Sequence, residues 1–545
     1  MSDSVMKLLG GSRRDLFRQG GWAAVAGAVG GAFQRAVAAP AEAVANLYSA
    51  IGVRPVVNAR GTFTIISGSQ SLPEVKKAME EASRSYVQMD ELMAAVGKRL
   101  AEITGAEWGM VSNGCAAAMT HATAACIAGT NPERMQRLPD LTGLKNEVII
   151  PEYSRNVYDH AIRMVGVKII EVRNKAELEA AFNARTAMCY ILAGPGDEGP
   201  LGTAVVAEVA KRHKVPVLVD AAAEILTFPN VHLKRGATLV AYSGGKCIRG
   251  PQTAGLLLGD KALIQAAWLN SAPHHAFGRS LKVGKEEVMG MLAAVEAWTK
   301  RDHEAEWKRW VSWLDTISTR AKQVNGVTTE VRQPEGLSNR TPSLTIKWDG
   351  AKLGITGSEV AKLLLDGEPR IVVGGASGAR PDNMASSLSI TPYMMMPGDD
   401  KVVADRVHAL LSSPPRFANP AVSSAPPAGL AGQWDVEIAF SLGTAQHSIS
   451  IEQEGKRVVG THRGETLSGD LTGSVNGNEV RFRSSHKIEG TRLGYSFTGS
   501  LKGDTLEGTV EMGEYGEAKW KAVRHTYRTP GGIVRPVKNG QSAAD

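Results

Sequence analysis

Five short apolar runs, EVIIP, VKIIEV, AMCYILAG, VPVLVD and ATLVAY, fall between residues 147 and 242. None alternates apolar with polar residues, so each predicts a strand covered on both faces. Stretches with apolar residues at helical spacing, such as EVKKAMEEASRSY and ELMAAVGKRLAEITG, alternate with runs of this kind over residues 46–415. That alternation predicts an α/β domain built on a mostly parallel sheet. From about residue 285 a single long helix is expected, KEEVMGMLAAVEAWTKRDHEAEWKRWVSWLDTI. Two strand-like pieces, PSLTIKW and SSLSITP, and a helix at DKVVADRVHALL follow it. The expected organisation is a large α/β domain at 46–284 and a small α+β lobe at 285–411.

The pattern stops at SSPPRFANPAVSSAPPAG, residues 412–429. Its proline, serine and alanine predict an extended, exposed linker. Beyond it the period becomes two. In WDVEIAF, Trp434, Val436, Ile438 and Phe440 share one face. Turn signals recur at VNGNE, LKGDT and MGEYG, and GDLTGSV is echoed by GDTLEGTV. Residues 430–530 are therefore expected to form an antiparallel sandwich or small barrel. No set of chemically active residues marks it, so a structural or interaction role is expected there.

Residues 1–38 read as a targeting segment. Paired arginines in SRRDLFRQGG precede WAAVAGAVGGAF, a run too short to span a bilayer, and AVA at 36–38 supplies a small-residue cleavage site. The order predicts a twin-arginine signal, export of a folded chain to the periplasm or outside, and no stable membrane insertion after cleavage. This segment carries +3 of the formal charge of +7. The remaining charge is spread thinly with no basic run interleaved with aromatics, so nucleic-acid binding is not expected. Four cysteines form no disulfide framework. Cys115 and Cys126 sit eleven positions apart on one predicted helix, about 16 Å, and no spacing suggests a metal site.

Chemistry concentrates around AYSGGKCIRGPQTAG, where Lys246 stands among glycines just after an apolar run. Alone, this reads as a surface turn with a solvated lysine. Three further features change the reading. Asp220 ends VPVLVD, the strand edge where open α/β sheets place ligand groups, although it also suits a helix cap. Ser112, Asn113, Gly114 and Cys115 open a small-residue helix whose free N–H groups make a phosphate cradle, or simply a tightly packed helix start. Ser243 offers a hydroxyl to the same phosphate. Together these are the parts that hold pyridoxal 5′-phosphate. A lysine amine forms a Schiff base with the aldehyde, an aspartate keeps the pyridine nitrogen protonated, and the helix start binds the phosphate.

SGGKCIRGPQTAG, RPVVNARGTFT, DELMAAVGKRLAEITGAEWGMVSNG and GRSLKVGKEEVMGMLAAVEAW resemble the selenocysteine synthase-like branch of fold-type I pyridoxal-phosphate enzymes. That branch contains seryl-tRNA selenium transferase and related lyases of amino acids or amino-sugar acids. The resemblance covers about residues 46–410. It implies that Lys246 is the Schiff-base lysine and Asp220 the pyridine partner. It places Gly250 and Gln252 near a neighbouring subunit's phosphate site, which implies a homodimer or higher homo-oligomer. It makes His160 a candidate ring-stacking or acid/base residue. Three departures count against selenium transfer: only a short mature stretch before Val57, Gly245 where the transferase carries an acidic residue, and the added β-domain.

The expected function is that of an exported pyridoxal-phosphate lyase or transferase acting on a small amino compound through a carbanion at Cα. Arg60, Arg155, Arg249 and Arg279 are candidates for binding its carboxylate or phosphate, because arginine grips such groups bidentately; each also suits a surface or ion-pair role. A class V-type aminotransferase, a selenium transferase-like activity, or a non-catalytic exported binding protein that keeps the fold are the alternatives.

Overall fold

A computed structural model of the protein describes residues 47–526, apart from 382, 420 and 422. The expected signal at 1–38 and residues 527–530 of the β-domain lie outside the described residues. Residues 47–52 form a single helical turn closed by the Ile51 and Gly52 N–H groups, which donate to the Tyr48 and Ser49 carbonyls. Among the described residues no helix is long and apolar enough to cross a membrane.

The first strand, β1 (Val57–Ala59), belongs to the small lobe. The large domain is built on β2 (Trp108–Ser112), β3 (Glu147–Pro151), β4 (Lys168–Val172), β5 (Thr186–Leu192), β6 (Val217–Asp220), β7 (Leu239–Ser243) and β8 (Gly255–Gly259). These form one seven-stranded sheet in the order β2-β8-β7-β6-β5-β3-β4. β7, β6, β5, β3 and β4 run parallel, and β8 runs antiparallel to β7 and β2. The five apolar runs are strands β3 to β7; β3 and β6 are buried at every position, as a sheet covered on both faces requires. From β3 the chain goes outward to β4 and returns to β5 on the other side. The strand order therefore reverses between β3 and β5, the place where open α/β sheets bind ligands. Helices α1 (Pro73–Ser83), α2 (Met89–Thr104) and α3 (Gly114–Ala128) precede β3.

The small lobe is a five-stranded sheet of order β1-β11-β12-β10-β9, with β9 (Thr328–Arg332), β10 (Ser343–Asp349), β11 (Ile371–Ala379) and β12 (Asn383–Ile390). Two expectations change here. β1 pairs in parallel with β11, Val57 opposite Ile371, so residues 57–59 join the small lobe rather than the large domain. The long helix from residue 285 is two helices, Lys285–Trp298 and His303–Ala321. The Asp302 carboxylate accepts the Ala305 N–H at 2.9 Å and caps the second helix, which starts it afresh after the first has ended.

The C-terminal domain is a closed barrel of eight antiparallel strands: β13 (Gly432–Ala439), β14 (Thr444–Glu454), β15 (Arg457–Arg463), β16 (Ser468–Asn476), β17 (Glu479–Ile488), β18 (Thr491–Lys502), β19 (Thr505–Glu511) and β20 (Glu517–Arg524). Successive strands pair, and β13 closes on β20, which leaves no open edge. Trp434, Phe482, Phe497 and Trp520 fill the interior. Past Ser412, the described residues of the linker lie in no helix or strand. Asn476 ties it to the barrel, accepting the Ser423 N–H and donating to the Ala421 carbonyl.

Candidate active site

Asp220 ends β6 at the carboxyl edge of the sheet and is 2 % exposed. Its Oδ1 accepts the Ala222 N–H at 3.0 Å and the Cys115 thiol at 3.5 Å, and its Oδ2 accepts the Tyr190 hydroxyl at 3.0 Å. Among the described residues no cation pairs with it. Burial, reinforced by Asp220, pushes the Cys115 thiol and the Tyr190 phenol well above their ordinary values, so both stay protonated as donors. Tyr190 is fixed in turn by Asn156, whose amide donates to the phenol oxygen at 3.0 Å and to the Ser154 carbonyl at 2.8 Å.

Lys246 lies in a tight loop just past β7. The Gly250 N–H bonds the Gly244 carbonyl at 2.8 Å, and the Gly244 N–H bonds the Ala254 carbonyl at 2.7 Å. A side chain at Gly244 would strike Met291 and two backbone carbonyls, and one at Gly245 would strike Gln252, which explains the glycines around the lysine. The half-buried Lys246 amine lies 5.9 Å from the centre of the Tyr158 ring and has no carboxylate partner among the described residues. Its charge reaches Cys115, as that of Asp220 does, with opposite sign. Both charges thus lie within electrostatic reach of the Cys115 thiol.

The third wall is the start of α3. Asn113 makes no capping bond, so the first-turn N–H groups have no side-chain acceptor, and Gly114 (φ +79°) has open space where a Cβ would stand. Gly255 lets β8 lie directly against the Gly114–Cys115 backbone. These residues fit pyridoxal 5′-phosphate. The buried carboxylate lacks a cation, the amine lacks an anion, and an uncapped helix start suits a phosphate.

The other candidates divide. Ser243 is half-buried, and its hydroxyl forms no hydrogen bond among the described residues. Gln252 rests its amide on Gly68 and Gly245, beside Lys246. Arg60 follows a turn held by the Asn58 side chain and stacks on Phe63 at 4.2 Å. Arg279 is exposed. Arg249 donates from Nε to the Gln70 carbonyl; burial and Arg301 lower its pKa, and it lines a 210 Å³ cavity with Arg301, Arg340 and Trp298.

Four expectations are corrected. The Ser112 hydroxyl is fully buried and donates to the Gly114 carbonyl, so only the backbone of that stretch faces a phosphate. Gly250 is buried on Met291 and Ala294, its N–H bonded to Gly244 and its carbonyl to Ser71, so both of its polar groups are used within the subunit. Arg155 is consumed by three carboxylates, Asp159 at 2.7 Å, Glu171 at 3.1 Å and Glu489 at 2.5 Å, and has no charge left for a substrate. His160 is exposed at the start of a short helix, and the aromatic ring over Lys246 is that of Tyr158. Tyr158, Tyr190 and Asn156 are the site residues that sequence reasoning did not find.

No protein-family model matches the chain. It is 30% identical over 383 residues to 5′-C-glycyluridine monooxygenase-decarboxylase of a Streptomyces species, covering 67% of this chain and 92% of that one. It is 29% identical over 335 residues to D-glucosaminate-6-phosphate ammonia lyase of Salmonella typhimurium, covering 59% and 88%. A solved structure of D-glucosaminate-6-phosphate ammonia lyase superposes with a TM-score of 0.59 at 26% identity, over 67% of this chain and 98% of that one. L-seryl-tRNA(Sec) selenium transferase of Moorella thermoacetica is 26% identical over 300 residues, which is 48% of this chain and 60% of the transferase.

The chain belongs to the fold-type I pyridoxal-phosphate enzymes, in the branch with selenocysteine synthase-like members. It is a pyridoxal-phosphate-dependent lyase or transferase, and pyridoxal 5′-phosphate is its cofactor.

Proposed function

We propose that this enzyme is an exported lyase that releases ammonia from a small amino acid or amino-sugar acid. The observation that carries the reading is a buried carboxylate without a cation, Asp220, bonded to Cys115, and an amine without a carboxylate, Lys246, whose charge acts on the same thiol. When bound, pyridoxal phosphate supplies an electron sink for the pair left at Cα. Asp220 holds a proton on the ring nitrogen. Lys246 Nζ takes the Cα proton and delivers it to a β-hydroxyl, which leaves as water; hydrolysis of the resulting 2-imino acid by water then gives ammonia and the 2-oxo acid. The N–H groups of α3 and the Ser243 hydroxyl hold the phosphate, and Tyr158 shields the amine from water. Arg60, Arg249 and Arg279 are the candidates for the substrate's acid group. Likeness over 88% of the Salmonella lyase supports an amino-sugar acid. Two copies of the chain are expected to associate, and the exposed Gln252 beside Lys246 is the residue proposed to face the neighbour.

The test is ammonia and 2-oxo acid release by cofactor-loaded enzyme across amino acids and amino-sugar acids, with and without a phosphate. Turnover is expected on an acidic amine and is expected to fall by at least about 10³-fold in Lys246→Ala. Equal turnover by that variant, or amino transfer without free ammonia, would overturn the assignment. Export is supported by the paired arginines, the apolar run and the AVA site in that order. Replacing Arg13 and Arg14 by lysine is expected to keep the chain in the cytoplasm; unchanged export would remove the twin-arginine reading.

A further inference from the structure

We infer that the C-terminal barrel completes the active site: the tip of its β17–β18 hairpin braces the Arg155–Tyr158 loop, making Glu489 and Gly490 positioning residues for the reaction. The contact is built from both sides. Gly490 lies so close to Asn156 that a methyl group on its Cα would overlap the Asn156 carbonyl and amide. Glu489 adopts a left-handed backbone, φ +49°, which a non-glycine residue takes up at a cost. From there its carboxylate reaches Arg155 at 2.5 Å. Arg155, only 12 % exposed, also holds the fully buried Asp159, which Arg163 clasps from its other oxygen at 2.9 Å.

From this anchor a short chain of bonds runs inward. Asn156, pressed by Gly490, donates to the Tyr190 hydroxyl, and Tyr190 donates to Asp220. Two residues beyond Asn156, Tyr158 covers the Lys246 amine. The loop after β3 stands where the strand order reverses, and Gly490 presses on it from outside the large domain. The barrel thereby fixes the distance between the loop and the sheet edge. A shift of about 1 Å in such a support costs on the order of 100-fold in rate even when made far from the reacting atoms. The inference rests on Asp220 as the partner of the cofactor ring.

The test uses the full-length cofactor-loaded enzyme with Gly490→Ala and Glu489→Gln, read by the visible absorption band of the bound cofactor and by its dissociation constant. Gly494→Ala in β18 is the control, because open space surrounds its Cβ position. Both hairpin variants are expected to shift the band and to weaken cofactor binding by about 10- to 100-fold, lowering kcat more than they change KM. The control is expected to match the wild type. Glu489→Gln is isosteric and half-exposed, so it carries the test if Gly490→Ala does not fold. Hairpin variants indistinguishable from Gly494→Ala would overturn the inference. Asp220→Asn in the same assay separates the two readings: if it moves the band while the hairpin variants do not, only the role of the barrel fails. If Asp220→Asn is itself without effect, the placement of the ring fails.

Discussion

The Cys115 thiol answers to both charges of the site, Asp220 and Lys246. Burial and the Asp220 carboxylate push it up while Lys246 opposes them, and the first two win. The other thiols are also raised by burial, Cys126 and Cys247 to about 12 and Cys189 further. A protonated, enclosed thiol is a poor nucleophile, so the four cysteines act as small core residues and, at 115, as a hydrogen-bond donor. Iodoacetamide at pH 7.5 is therefore expected to leave all four unmodified in the native enzyme and to label all four after unfolding, read by intact mass. Rapid native labelling of Cys115 would contradict its pairing with Asp220. At this scale the sequence was legible where chemistry breaks a pattern. A lysine among glycines and an aspartate closing an apolar strand both announce themselves. Tyr190 does not, because a phenol inside AMCYILAG reads as core until a carboxylate is found opposite its hydroxyl. Asn156 and Tyr158 lie in a loop without periodicity, and only the fold brings them to Lys246.

Between elements, the approach of β8 to the start of α3 decides whether the helix presents free N–H groups at all. Gly255 permits it: a methyl group there would overlap the Gly114 carbonyl and the Cys115 amide. Gly255→Ala is expected to push the helix start away from the sheet and weaken cofactor binding by at least about tenfold, the effect of losing one well-aligned phosphate contact. Equilibrium dialysis checks this, and unchanged affinity would mean that the phosphate sits elsewhere. The central strands were legible because burial on both faces leaves nothing but apolar residues in the run. The break at Asp302 was not, since TKRDHEAE holds no proline or glycine and reads as a charged helix surface, and a cap is a single residue. The pairing of β1 with β11 was hidden for another reason: three residues carry too little pattern to say which sheet will accept them. The barrel followed from its period of two, while closure depended on β13 meeting β20, a long-range contact that alternation alone does not encode.

Across the whole molecule, two buried histidines set opposite limits on pH. In the barrel, His447, His462 and His486 pack ring against ring, with His447 Nδ1 2.8 Å from His462 Nε2. Burial, then the neighbouring imidazoles, lower His462 to about 3. Its folded pKa lies below its unfolded one, so the stability it contributes is present above about 6.5 and is lost as pH falls toward 3. In the large domain, His232 Nε2 meets Glu224 at 2.7 Å, and its Nδ1 lies 3.3 Å from Asp197 without hydrogen-bond alignment. Burial alone would lower it, but the two carboxylates outweigh burial and raise it to about 9. That contribution is complete below about 6.5 and is lost as pH rises through about 9. Each unit of separation is worth about 1.4 kcal/mol per group, enough to move a melting curve by several degrees. Calorimetry from pH 4 to 10 is expected to show greatest stability near neutrality, with an acid edge that flattens in His462→Leu and an alkaline edge that flattens in His232→Gln. The second variant is also expected to melt lower at neutral pH, because it leaves Glu224 buried without a cation and Asp197 with Arg235 alone. Edges that persist unchanged in both variants would assign the pH dependence to other groups. Loss of the acid edge in His232→Gln would mean that the barrel and the large domain do not titrate independently.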